Sequence, residues 1–331
     1  MHPFLRVAAA RQHGIVTSRD LARAGITPQE VRRAVASGEW VRMRRGAFVA
    51  ADALTEAEAS GRRPLLEAAA VVHTLDRPAA VLSGYSAARV WGLPTPHRLR
   101  GTVTLTDPTQ HRRGEGYEIT HAPLPAGSTT VHQGLPVTTL ARTVVDCARE
   151  WSLEEALILA DAARWGDRVT ATELQAALTE GVAHRGVDAA RRVVELSRDG
   201  ADSPLETRAR LRVHEAGIEL PELQVVLAVD GVSHESDGLW RRLGIVMACD
   251  GRGKYRDPWH GATTEEKHWR EKRQRDVLIG AGVRFWTVTD ADLRDGWPRA
   301  LARLVELMSK PSTLSPRVTV FDRRFPRPRA G

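Results

Sequence analysis

Two sets of residues in this chain are of the right type and spacing to do chemistry. The first is basic. Gln29, Arg32 and Arg33 lie on a short segment behind Thr27-Pro28, and Arg42, Arg44 and Arg45 follow in "EWVRMRRGAFV". Arginines presented by one helix and an adjacent hairpin suit contact with the phosphates of duplex DNA, and Gln29 stands where a base edge could be read. The second set is acidic. The stretch "GIVMACDGRGKY" runs apolar and then gives Asp250-Gly251, with Arg252 and Lys254 just beyond; Glu206 and Asp237 precede it. Acids at a helix start and at two strand ends raise the question of a nuclease centre. In the structural alternative Glu206 caps its helix, Asp250 makes a turn with Gly251 and Asp237 is exposed.

These residues need elements to hold them. The first 52 residues read as three short helices and a hairpin. Phe4, Leu5, Val7 and Ala8 form an apolar face, and Thr17 or Ser18 caps a second helix with Leu21 and Ala22 inward. Thr27 caps a third helix that has Pro28 at its first position and Val31, Ala34 and Val35 on its apolar side. Trp40, Arg42 and Arg44 then alternate with Val41 and Met43, and Gly46 supplies a turn. Helix, helix, turn, helix and basic hairpin is the arrangement of a winged helix, a DNA-binding unit. A small helical protein-docking domain with arginines on its wet face is the other reading.

Residues 53–198 mix patterns: "SGYSAARVWGL" is helical from about Ser83, "GTVTLTD" alternates as a strand, and "TTLARTVVDCARE" and "SLEEALILADAARW" are amphipathic helices. His111, Arg112, Arg113 and His121 lie in a segment better read as a solvated hairpin loop than as a site, since no carboxylate sits at a ligand-like spacing. Asp146 and Asp161 are read as capping or salt-bridging residues. In residues 199–310, Ser203 caps a helix carrying Glu206, three strand segments end in "LGIVMAC", and "PRALARLVELMSK" forms a last amphipathic helix. Residues 311–331 are expected to be a basic, disordered tail.

Bulk properties agree with a multidomain DNA-binding protein. The chain has 331 residues, 42% hydrophobic, and a formal charge of +7, with a pI near 10.0. Residues 1–52 hold nine arginines against four acids, and the last 17 hold five against Asp322 alone, so positive charge gathers at both ends. Cys147 and Cys249 are too far apart to form a CxxC pair and are read as small buried hydrophobes. No apolar run nears the roughly 20 residues that span a bilayer, and the start lacks a signal peptide's apolar region, so a cytoplasmic protein with no membrane partner is expected.

The N-terminal segment resembles the winged helix of AbiEi-family antitoxins, the repressor halves of type IV toxin–antitoxin systems, and "AVLSGYSAARVWGLP" and "GLPVTTLARTVVDCARE" are similar to phrases of AbiEi-like proteins. The resemblance implies a transcriptional regulator whose partners are double-stranded DNA and a cognate toxin. From Ser203 onward the chain resembles the restriction-endonuclease-like PD-(D/E)xK superfamily, in the version related to very-short-patch repair endonucleases. The expected fold class is therefore α/β multidomain: winged helix, mixed α/β middle segment and an α/β/α endonuclease-like domain. Carried over, the resemblance makes Glu206, Asp237, Asp250 and Lys254 catalytic, with Asp237 and Asp250 holding Mg²⁺ for phosphodiester cleavage. Two departures stand against activity. Ala248 replaces the expected acid of a Glu-x-Asp-Gly strand end, and "HESDGLW" departs from a "DFxW" pattern. Three functions follow: a regulator with a degenerate nuclease-like domain, a Mg²⁺-dependent DNA endonuclease targeted by its winged helix, or a toxin-neutralising interaction module.

Overall fold

The computed structural model describes residues 2–99, 101–180, 185–251, 264–310 and 314–322, with backbone alone for 264–271. It forms two compact units, Met1–Leu159 with Val169–Leu196, and Ala160–Arg168 with Ser197–Gly331.

The first unit opens with α1 (Pro3–Arg11), β1 (Val16–Thr17), α2 (Ser18–Arg23), α3 (Pro28–Ala36), β2 (Trp40–Arg44) and β3 (Ala47–Ala50). The three helices and the hairpin match the sequence reading; β1 is additional and gives a sheet of order β1-β3-β2. Thr17 with Asp20 and Thr27 with Glu30 form capping boxes that fix where α2 and α3 begin. In α1 the buried residues are Leu5, Ala8 and Ala9, whereas Phe4 and Val7 are 40% and 54% exposed, so the apolar face is rotated from the one expected.

The small sheet is covered on both faces. Val16, Trp40 and Phe48 pack with Leu5, Leu21 and the inner side of α3, namely Val31, Ala34 and Val35. Ile15, Ala47 and Val49 face the other way and enter a larger core. That core is completed by residues of α4 (Ala51–Ala59), α5 (Arg63–Leu75), β4 (Val81–Leu82), α6 (Gly84–Val90), β5 (Val103–Asp107), β7 (Tyr117–His121) and β9 (Leu135–Thr138), while the largely exposed β6 (Arg112–Gly114) and β8 (Thr129–His132) form the edges of the sheet. The strands form one mixed sheet of order β6-β7-β5-β4-β9-β8. A division at residue 52 is thus not a division of the core. Next come α7 (Leu140–Ala148), α8 (Leu153–Arg164), α9 (Ala171–Glu180) and α10 (Val187–Leu196), with the residues of α8 from Ala160 onward counted in the second unit.

The second unit holds α11 (Pro204–Glu215), β10 (Val225–Val229), β11 (Val232–Ser236), β12 (Gly238–Trp240), β13 (Ile245–Cys249), α12 (Thr264–Gly280), β14 (Arg284–Val288), α13 (Asp290–Leu293), α14 (Trp297–Ser309) and β15 (Thr319–Asp322). Its strands make two sheets, β11-β10-β15 and β12-β13-β14. The apolar run ends up as β13, central in its sheet, antiparallel to β12 and parallel to β14. Ile245, Met247 and Cys249 pack against Leu205, Ala209 and Val213 of α11, and Val246 against Leu278 of α12, which is why the strand is apolar almost throughout. Asp161 is buried beneath α11, where it accepts hydrogen bonds from Arg210 at 2.6 Å and Thr207 at 2.9 Å. The tail corrects the sequence reading: residues 319–322 pair with β10 as β15, and Arg317 forms an ion pair with Asp230.

Candidate nucleic-acid interface

The candidate interface is built on α3. With Val31, Ala34 and Val35 committed to the core, Gln29, Arg32 and Arg33 fall on the opposite, exposed side. The hairpin adds Arg42 and Arg45. Arg42 is registered against Phe48, so it leaves the sheet on the face that α3 covers. Arg45 is exposed in the turn, followed by Gly46 at φ +83°, a conformation that favours glycine.

Arg44 does not join them. A β-bulge between Arg42 and Arg44 places Arg44 opposite Ala47, whose side chain belongs to the other face. Its guanidinium donates to Thr74 Oγ1 at 2.5 Å and to the Glu115 carbonyl at 3.3 Å, and lies 5.0 Å from the centre of the Tyr117 ring. Burial holds its pKa below the usual arginine value. The expected phosphate contact is a structural pin instead.

The acids of the second unit meet only in part. Asp237 separates β11 from β12, and its Oδ2 accepts the Cys249 amide at 2.6 Å; Asp250 is exposed and its amide donates to the Val288 carbonyl at 2.9 Å. Both therefore sit at the C-terminal end of β13. Gly251 lies against Leu205, which brings the start of α11 to the same end. Glu206, however, is 2% exposed, and both of its oxygens serve the helix cap. Oε2 accepts the Asp202 amide and Oε1 the Ser203 hydroxyl, each at 2.8 Å. Ala248 stands opposite Thr287 of β14, whose hydroxyl accepts from Arg275 at 3.1 Å. On the β14 side, the space beside the missing acid is therefore flanked by a hydroxyl bound to a cation. Lys254 lies outside the described residues. Among the described residues no group of three or more His, Cys, Asp or Glu is placed to hold a metal ion. Two carboxylates, Asp237 and Asp250, are thus brought to this strand end, and neither Glu206, held in its cap, nor Ala248 adds a ligand to them.

Comparison with known proteins bears on the first set. Residues 4–51 match the family described as transcriptional regulator, AbiEi antitoxin. The N-terminal segment is an AbiEi antitoxin domain. Two uncharacterized proteins of Mycobacterium tuberculosis, Rv2248 of strain H37Rv and MT2308 of strain CDC 1551, are each 31% identical over 139 residues, 42% of this chain. The match spans half the length of those relatives, 50%. A solved structure, the RV2827C protein from Mycobacterium tuberculosis, aligns over 62% of this chain and 78% of its own with 14% identity and a TM-score of 0.39.

Outside the AbiEi antitoxin domain the expected hairpin of residues 111–121 is present as β6 and β7, with Arg113 paired to Glu118 and His121 Nε2 2.9 Å from the Pro108 carbonyl. Among the described residues no helix is long and apolar enough to cross a membrane. Arg19, in the first turn of α2, is a basic residue of the AbiEi antitoxin domain that the sequence reading passed over. Its neighbours Arg42 and Arg45 are far off along the chain, so no local pattern pointed to it.

Proposed function

We propose that this protein is a DNA-binding transcriptional regulator of the AbiEi antitoxin type, in which the first 52 residues are a winged helix that engages duplex DNA through α3 and the β2–β3 hairpin. The supporting observation is the exposure of Gln29, Arg32 and Arg33 on the side of α3 opposite its core residues, with Arg42 leaving the sheet on the same face. A cognate toxin is the protein partner such a regulator implies. The order α11-β10-β11/β12-β13-α12-β14 is the helix, three-strand, helix, strand succession of the restriction-endonuclease-like fold, and it supports reading the second unit as an accessory domain of that kind. Its cleavage site is degenerate: Ala248 contributes no ligand and Glu206 is held in a cap.

The test is duplex binding by the full chain across a salt series. Arg32→Ala with Arg33→Ala weakens binding and lowers the salt slope by about two, one for each lost phosphate contact. Unchanged binding by that double variant removes α3 from the interface. In parallel, Mg²⁺-dependent cutting by the wild type is no greater than by Asp250→Ala, and brisk cutting abolished by that substitution would restore the endonuclease reading.

A further inference from the structure

A cleft of about 450 Å³ opens in the first unit between three elements that are distant in sequence. Ser18 and Arg19 of α2 line one side, Arg42 and Arg45 of the hairpin a second, and His73 and Thr74 of the last turn of α5 a third, with Phe48 beneath. Three arginines line the cleft, Arg19, Arg42 and Arg45. Arg19 is offset by Asp76 at 2.6 Å, an exposed pair worth little in water. Arg42 and Arg45 enter no ion pair among the described residues. Like charges gathered on one hollow repel until an anion joins them, and the planar fork of arginine matches the oxygens of a phosphate.

The walls are set before any ligand arrives. The Ser18 amide donates to the Gly46 carbonyl at 2.9 Å, tying the start of α2 to the hairpin turn. Arg44 ties the same hairpin to Thr74 of α5 at 2.5 Å, and Thr74 in turn donates to the Ala70 carbonyl at 2.6 Å. A Cβ on Gly46 would sit 3.6 Å from Ser18 Oγ and 3.9 Å from Thr74 Cγ2, so the turn lies close over both walls. A cleft held in shape this way loses little freedom on binding. His73 adds no positive charge of its own to the cleft: burial keeps its imidazole below the usual histidine pKa, and its Nε2 is enclosed without a hydrogen-bond partner among the described residues.

We propose that this cleft is a phosphate-binding site in which Arg19, Arg42 and Arg45 hold the phosphate oxygens and the Ser18 hydroxyl donates to one of them. The phosphate is either a backbone group of bound duplex or that of a free phosphate ester. In the first case the inference rests on the DNA-binding reading above and extends the contact surface from α3 and the hairpin to Ser18 and Arg19 of α2; in the second it is independent of that reading.

Full-length wild type, Arg19→Ala and Arg45→Gln are compared in two assays, calorimetric titration with pyrophosphate and duplex binding across a salt series. Arg19 is 64% exposed at its side chain, so its replacement leaves the fold intact, and a melting curve of each variant verifies this. A backbone phosphate in the cleft gives a salt slope lower by about one for Arg19→Ala, and pyrophosphate displaces the duplex from wild type. A free phosphate ester as ligand gives pyrophosphate binding weakened about tenfold in Arg19→Ala with the duplex slope unchanged. Wild type that binds no duplex but binds pyrophosphate through Arg19 overturns the DNA-binding reading and leaves the cleft assignment standing. Variants that match wild type in both assays overturn the cleft.

Discussion

Arg44 shows how one inserted residue changes what a side chain does. Period-two alternation places it outward with Arg42, but the bulge turns it to the face of Ala47, where Tyr117, Thr74 and the Glu115 carbonyl receive it. Arg44→Ala is expected to cost about 2 kcal/mol of stability, from a lost cation–π contact and charge-assisted hydrogen bonds. Chemical denaturation measures the loss, and the salt slope of duplex binding stays at the wild-type value; a lower slope would return Arg44 to the interface. Asp107 gives a second expectation, in pH. Its carboxyl is fully buried, and the Arg77 guanidinium, then the Thr109 amide and hydroxyl, hold its pKa down to about 2 from 3.8. A folded value below the unfolded one contributes stability that is present above about pH 4 and lost as pH falls toward 2. The melting temperature of Asp107→Asn is thus below wild type at neutral pH, and the gap closes on acidification; a constant gap would mean that the substitution acts through packing. Neither role was legible in the sequence, because Thr74 and Glu115, which receive Arg44, and Arg77, which pairs with Asp107, lie roughly 30 to 70 residues away and no local pattern announces them.

Elements with their own start signals were legible. Thr17, Thr27 and Ser203 each cap the helix expected of them, and the apolar run before Asp250 is the central strand β13. Elements defined only by a distant neighbour were not: β4 is two residues long, and β15 exists because β10 offers an edge to a segment that looked like a bare basic tail. The acids of the second unit fall between these cases. Their common end of β13 could be read from spacing, but Ser203-x-x-Glu206 also has the spacing of a helix cap, and the cap is what the carboxylate serves, through the Ser203 hydroxyl and the Asp202 amide. Glu206→Ala is therefore expected to lower stability by about 1 kcal/mol without altering any response to Mg²⁺. Thermal melts with and without Mg²⁺ decide it. A wild type stabilised by the ion, with the effect lost in Glu206→Ala, would mean that the helix end binds metal after all.

The AbiEi antitoxin domain ends by sequence at residue 51, yet the structure does not close there. One face of its sheet is self-sufficient, with Leu5, Leu21, Trp40, Phe48 and the inner side of α3. The other face presents Ile15, Ala47 and Val49, all 0% exposed, together with Val41 and Met43, and these are covered by residues such as Leu66 and Ala69 of α5. Cutting the chain after residue 52 uncovers that face and also strips Arg44 of Thr74, Glu115 and Tyr117. A segment of this size has little margin to lose, since small domains bury only about 60% of the surface they expose when unfolded. The isolated fragment 1–52 is expected to lack a cooperative thermal transition and to show less helical circular dichroism than its three helices would give, and its duplex binding is weaker than that of the full chain even though every arginine of α3 and the hairpin is present. A fragment that melts cooperatively with full helical signal would show that residues 1–52 fold alone, and would make the boundary seen in the sequence a boundary of the structure as well.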